Sequence, residues 1–142
     1  MSLSSRVQSN DPKLVKERII TSASTRDDAA QIIYGLHIRG VRSSEIENEQ
    51  KIPYTQIPGA KPPRFLILID SDSEMQWQIA QDSIESIWDA ILEQHPRAVT
   101  PSGHCSFCGY DVERLPRPTI CPECGINVDS IEARRVMRER RL

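Results

Sequence analysis

Two close pairs of cysteines constrain the fold of this chain more than any other feature of its sequence. Cys105 and Cys108 have two residues between them, as do Cys121 and Cys124, and twelve residues separate the pairs. A two-residue gap lets both thiolates of one tight turn point at the same ion, and the glycine after each turn permits a positive φ. The spacing therefore predicts a tetrahedral four-thiolate metal site with no coordination position left for water.

The donor set indicates which ion the site holds. Four thiolates in a closed shell are typical of structural zinc, whereas free or disulfide-bonded thiols are the alternative for the same cysteines. The segments CSFCGYD and CPECG resemble a zinc ribbon, and the turns also resemble those of rubredoxins, which hold iron. Rubredoxins place more chain and more aromatic residues between the pairs. We therefore expect one structural Zn²⁺, with His104 outside its shell.

The residues before the cysteines predict alternating strands and helices. The β-branched segment at 18–23 predicts a strand, and Thr25 has the form of a helix cap before an apolar stripe that ends near Gly40. Residues 41–46 are a weaker strand candidate, and the apolar run at 65–69 predicts a strand covered on both faces. An apolar stripe over residues 74–94 predicts a second helix. The element order β-α-β-β-α indicates a small α+β sheet with two helices.

The composition divides the chain into segments. A polar start, a proline-rich loop at 49–63 and a linker containing Pro96, Pro101 and Gly103 interrupt the periodic stretches. We predict five segments: a disordered arm at 1–16, an α/β regulatory-type domain at 17–95, a linker at 96–103, a zinc ribbon at 104–127 and a basic tail at 128–142.

The α/β part resembles a family of prokaryotic signal-transducing proteins. The matching features are Thr21, Ser22 and Ala23 at a strand end, the helix DAAQIIYGLHIRGV at 28–41, and a strand-turn-helix at 65–91. The resemblance implies a ferredoxin-like fold similar to that of the P-II (GlnB-like) nitrogen regulator, and some members of the family also carry a C-terminal zinc ribbon. It implies a regulatory role and assigns no ligand or catalytic residue.

The sequence offers no catalytic set. Neither a phosphate-binding glycine loop nor a nucleophile elbow occurs. Asp70, Asp72 and Glu74 could bind Mg²⁺ at a strand end, but they also suit the start of a helix, as His37 and His95 suit helix ends. We therefore predict a protein that is not an enzyme.

The charge pattern limits the choice of partners. The net charge is only −2, and five of the seven arginines in residues 101–142 are concentrated near the C-terminus, at Arg134, Arg135, Arg138, Arg140 and Arg141. The leading prediction is a cytoplasmic regulatory or adaptor protein that binds a protein or small ligand, with no membrane contact, and that could form a homodimer. The alternative is a nucleic-acid-binding zinc ribbon protein that uses these arginines.

Overall fold

The computed structural model describes residues 18–140, so the predicted arm at 1–16 lies outside the described residues, as does Arg141. The described part is α+β, with three strands and three helices. In chain order these are β1 (Ile19–Ala23), α1 (Arg26–His37), β2 (Ser43–Glu47), β3 (Phe65–Ile69), α2 (Glu74–Ile91) and α3 (Ile131–Arg140). None of the described helices is both long enough and apolar enough to cross a bilayer.

The sheet has β3 in the centre, as the continuous apolar run predicts. The strand order is β1-β3-β2, and β3 runs antiparallel to both neighbours. β1 and β2 are therefore parallel to each other, and α1 makes the crossover between them. Phe65, Ile67 and Ile69 on β3 are at most 1% exposed, so the central strand supplies much of the apolar core of the sheet.

Helix α1 begins and ends where its local sequence predicts. Thr25 is the N-cap, and its hydroxyl accepts a hydrogen bond of 3.1 Å from the Asp28 N–H. This satisfies one of the N–H groups that a helix leaves without an internal partner. Ile32 and Leu36 are fully buried on the predicted apolar face. Gly40 has φ +81° just after the helix, which explains why glycine stands there.

The chain divides into two compact units at boundaries that differ from the predicted ones. Among the described residues, unit 1 extends to Tyr54 and continues over Pro62–Ile87, and unit 2 comprises Thr55–Lys61 and the residues from Trp88 onward. The predicted boundary at residue 95 thus moves to a point inside α2, where the apolar stripe runs on without a break. The tip of the proline-rich loop, the predicted linker and the predicted tail all belong to unit 2.

The ends of the proline-rich loop are fixed within unit 1 by one buried side chain. Asn48 is 8% exposed, and its Nδ2 donates to the carbonyl oxygens of Ile52 and Pro63 at 3.0 and 2.8 Å. Its Oδ1 accepts a hydrogen bond of 2.9 Å from the Ile52 N–H. A fully satisfied buried amide of this kind orders the loop ends that it joins.

Candidate metal centre

The four predicted cysteine ligands converge on one point. All four Sγ atoms lie within 4.8 Å of one another. The Sγ atoms of Cys105 and Cys124 are 3.7 Å apart, and those of Cys108 and Cys121 are 3.4 Å apart. Four sulfurs at the usual Zn–S distance of 2.3 Å are separated by about 3.8 Å in a tetrahedron. The geometry therefore fits a single metal ion, and a zinc site is compatible with it.

Each cysteine pair sits in a tight turn closed by backbone hydrogen bonds. In the first turn, the Gly109 N–H donates to the Cys105 carbonyl at 2.9 Å, and in the second the Gly125 N–H donates to the Cys121 carbonyl at 2.8 Å. Both glycines have positive φ, +83° and +76°. A side chain at either position would strain the turn, which is the reason for the C-x-x-C-G pattern. The Phe107 N–H also points at the Cys105 sulfur, at 3.5 Å.

The sulfurs are not equivalent as acids. Burial disfavours the charged form of Cys121, but the N–H groups of Cys124 and Glu123 donate to its sulfur and lower its pKa to about 7. Desolvation and the neighbouring sulfurs raise the pKa of Cys124 to about 12. Four thiolates so close together are therefore stable only with a cation between them, and metal binding releases protons.

Unit 2 has a small core that contains two of the ligands. Cys105 and Cys121 are buried, whereas Cys108 and Cys124 are exposed, so each turn places its first cysteine inward. The buried members of this core are Ala98, Cys105, Val112, Cys121, Val128 and Ala133. Partly buried apolar side chains pack around it, and these are Ile57, Val99, Phe107, Leu115, Ile126 and Met137.

The predicted linker is an integral part of the ribbon. Ala98 is fully buried, its N–H donates to the Val128 carbonyl at 2.8 Å, and its carbonyl accepts from the Ser106 N–H at 3.1 Å. Ala98 thus connects Ser106, in the first cysteine turn, with Val128, which follows the second turn. Within the predicted linker at 96–103, Ala98 therefore pairs with both halves of the ribbon.

A polar cluster fastens the entry and exit of the second cysteine turn. Asp129 accepts hydrogen bonds from the Arg97 guanidinium and, at 2.7 Å, from the Thr119 N–H. Burial opposes ionisation of Asp129, but the Arg97 and Thr119 hydrogen bonds outweigh it and lower the pKa of this carboxyl. Arg97 also donates to the Thr119 hydroxyl at 2.9 Å. The cluster therefore ties the chain before the ribbon to both ends of this turn.

The predicted basic tail is helix α3, and two of its arginines lie inside unit 2. Arg134 is 8% exposed and donates to the His95 carbonyl and the Asp89 carboxylate at 2.8 and 2.7 Å. Arg135 is 4% exposed and stacks over the Trp88 ring at 4.2 Å. Within the predicted tail at 128–142, Ile131–Arg140 is therefore a helix with buried arginines rather than a solvated tail. Sequence reasoning missed this because a run of arginines is typical of a solvated surface.

Other predicted candidates stay apart from the centre. The His104 Nδ1 lies 3.1 Å from the Ser102 hydroxyl, and His104 is not part of the four-residue ligand group. Asp70 accepts from the Ser44 hydroxyl at 2.9 Å, and Asp72 pairs with Arg18 at 2.7 Å. Over residues 18–140, no carboxylate group of three or more converges as the cysteines do.

No protein-family model, curated protein or solved structure matches this chain. The resemblance to a signal-transducing family stays a prediction.

Proposed function

We propose that this chain is a non-enzymatic regulatory or adaptor protein in which one structural Zn²⁺ holds unit 2 in shape for contact with a protein partner. The observation that carries the proposal is the convergence of four cysteine sulfurs within 4.8 Å of one another. A shell filled by four thiolates leaves no open position for a substrate or an activated water, so the metal has a structural role.

The strand order supports a ferredoxin-like fold for unit 1. β3 lies between two parallel strands that α1 connects, which is the arrangement of the first half of a ferredoxin-like sheet. The resemblance to the signal-transducing family implies a ferredoxin-like fold. We include the ferredoxin-like assignment in the proposal on this ground.

A groove beside the metal centre is the partner surface that we propose. It has a volume of about 520 Å³, and its walls are residues 55–58 on one side and residues 124–127 on the other. Ile57 packs on the core that contains Cys105 and Cys121, so the metal and this wall are coupled through the same packing. Loss of the metal should therefore disorganise the groove.

A photo-crosslinking experiment tests the proposal. A photoreactive amino acid replaces Gln56 in the groove wall, and a control chain carries it at exposed Arg114, outside the groove. We expect a specific crosslinked protein from position 56 that disappears when Cys108→Ser is added. The same product from both positions, or a product unaffected by Cys108→Ser, would contradict the proposal.

Nucleic-acid binding by the arginines of α3 is the alternative with less support. Arg134 and Arg135 are buried inside unit 2 and Arg138 is half-buried, so Arg140 is the exposed member of the set among the described residues. Arg140 lies 5.0 Å from the Phe107 ring centre. If this alternative holds, binding to a short duplex will weaken steeply with salt, and Arg138→Gln with Arg140→Gln will flatten that dependence.

A further inference from the structure

A second groove lies in unit 1, between α1 and β2, and we call it the α1–β2 groove. Its volume is about 590 Å³, within the range of roughly 300–1,000 Å³ typical of small-molecule sites. Ala30, Ile33 and Val41 form an apolar part of its lining, and Val41 is fully buried. Tyr34 also lines the groove and is 65% exposed.

Several polar groups in this groove are uncommitted. Tyr34, His37 and Arg42 line it, and the hydroxyl, ring and guanidinium of these residues have no hydrogen-bond or ion-pair partner among residues 18–140. Ser43 also lines the groove, and its hydroxyl oxygen is buried without a partner in the described chain.

Each of the two carboxylates of the groove accepts a hydrogen bond within unit 1. Glu45 pairs with Arg26 at 3.3 Å, and Asp70 accepts from the Ser44 hydroxyl at 2.9 Å. The uncommitted groups are thus one guanidinium, one imidazole and two hydroxyls, all of which can donate hydrogen bonds. The free bonding capacity of the groove therefore suits an anion beside an apolar surface.

We propose that the α1–β2 groove binds a small organic anion, with its charged group on Arg42 and its apolar body on Ala30 and Ile33. This inference rests on the proposed function, because a regulatory protein needs a signal to bind. It concerns unit 1 alone and does not involve the metal centre. The guanidinium of Arg42 fits a carboxylate, sulfonate or phosphate with two parallel hydrogen bonds.

A matched pair of fluorescent probes separates the charge from the apolar body. Anilinonaphthalene sulfonate is an organic anion, and phenylnaphthylamine has the same ring body without a charge. Titration of the full zinc-loaded chain should give tighter binding of the sulfonate. Heteronuclear NMR should place the shifted amides at Val41, Ser43 and their neighbours on α1.

Substitution of Arg42 is the decisive step. Arg42→Gln should weaken sulfonate binding by about tenfold, the effect of one lost charge-assisted contact, and leave binding of the uncharged probe unchanged. Arg114→Gln removes the same charge from an exposed position in unit 2 and serves as the control. Unchanged amide shifts away from the groove will show that the variant is folded.

Three results would overturn the proposal. They are equal affinity for the two probes, an Arg42→Gln chain that binds the sulfonate as tightly as the parent, and shifted amides that lie outside the groove. None of these results bears on zinc-dependent crosslinking from position 56. The failure of this inference is therefore distinguishable from the failure of the proposed function.

Discussion

The two units have small cores that are stabilised in different ways. The core of unit 1 contains large apolar side chains that are almost fully buried, among them Phe65, Ile32 and Leu36. In unit 2, the buried Trp88 and Leu92 lie outside the cluster around the cysteines, and that ribbon core contains no buried side chain larger than valine. Apolar burial contributes about 25 cal/mol per Å², so the second core has far less to offset its conformational entropy. A metal ion that cross-links the four cysteines compensates for this smaller contribution from apolar burial.

The largest expected effect comes from breaking that cross-link. Cys121→Ser should abolish metal binding and unfold the ribbon, because it forfeits a binding free energy that is roughly 10–16 kcal/mol in zinc-finger peptides. Hydrogen exchange should show lost protection at Val112 and Val128 and unchanged protection in β3. Glu123→Ala, an exposed change in the same turn, is the control and should retain the metal. Retained protection in the ribbon of the Cys121→Ser chain would break the comparison between the units.

A core truncation in unit 1 should show the opposite pattern. Leu36 is fully buried, so Leu36→Ala should destabilise unit 1 by about 2–5 kcal/mol through lost burial and a residual cavity. The zinc content should stay at one ion per chain. Ile33→Ala, one turn away at a half-buried position, should cost less. Urea unfolding followed by amide NMR measures both units in one sample, and an equal loss in both would mean that the units are not separately stabilised.

We expect an intermediate effect on the stability of unit 2 from removal of the buried Arg134 side chain. Arg134→Ala removes hydrogen bonds to the Asp89 carboxylate and to the carbonyls of Leu92 and His95. Hydrogen bonds that involve a charged group contribute about 1.5–3 kcal/mol, and we expect a loss of that order in the stability of unit 2. The exposed change Arg114→Ala should stay within about 0.5 kcal/mol. Similar thermal unfolding of the two variants would show that Arg134 is dispensable.

The smallest expected effect is the pH dependence of the stability that Asp129 contributes. The pKa of Asp129 is lowered in the folded chain, so its contribution to stability is present above the ordinary value of about 3.9 and is lost as pH falls through the folded value. With zinc in excess, the difference in unfolding free energy between the parent and Asp129→Asn should be constant from about pH 7 to 5 and shrink below that. A difference that grows on acidification has the wrong sign for this account.

Local signals were predictable from the sequence, and long-range ones were not. The C-x-x-C-G spacing, the Thr25 cap and the apolar run of β3 each act within a few residues, and the structure agrees with all three. The packing of Ile57 and Ala98 against the cysteines joins segments that are distant in sequence, and no periodicity reports it.

Buried polar residues were also not predictable from the sequence. Arg134 and Arg135 are surrounded by other arginines in sequence, and only their contacts with the end of α2 reveal that they are inside the fold. The apolar stripe of α2 likewise continues past Ile87, so the boundary between the units leaves no mark on it. The α1–β2 groove has no motif at all, because it depends on which polar groups remain without partners.

The most direct test of the central claim is native mass spectrometry of the untreated full chain, combined with a count of reactive thiols. The account predicts one zinc ion per chain, four cysteines protected from alkylation, and reactivity at all four after chelation. A chain that carries no metal while its ribbon amides stay protected from exchange would contradict the account.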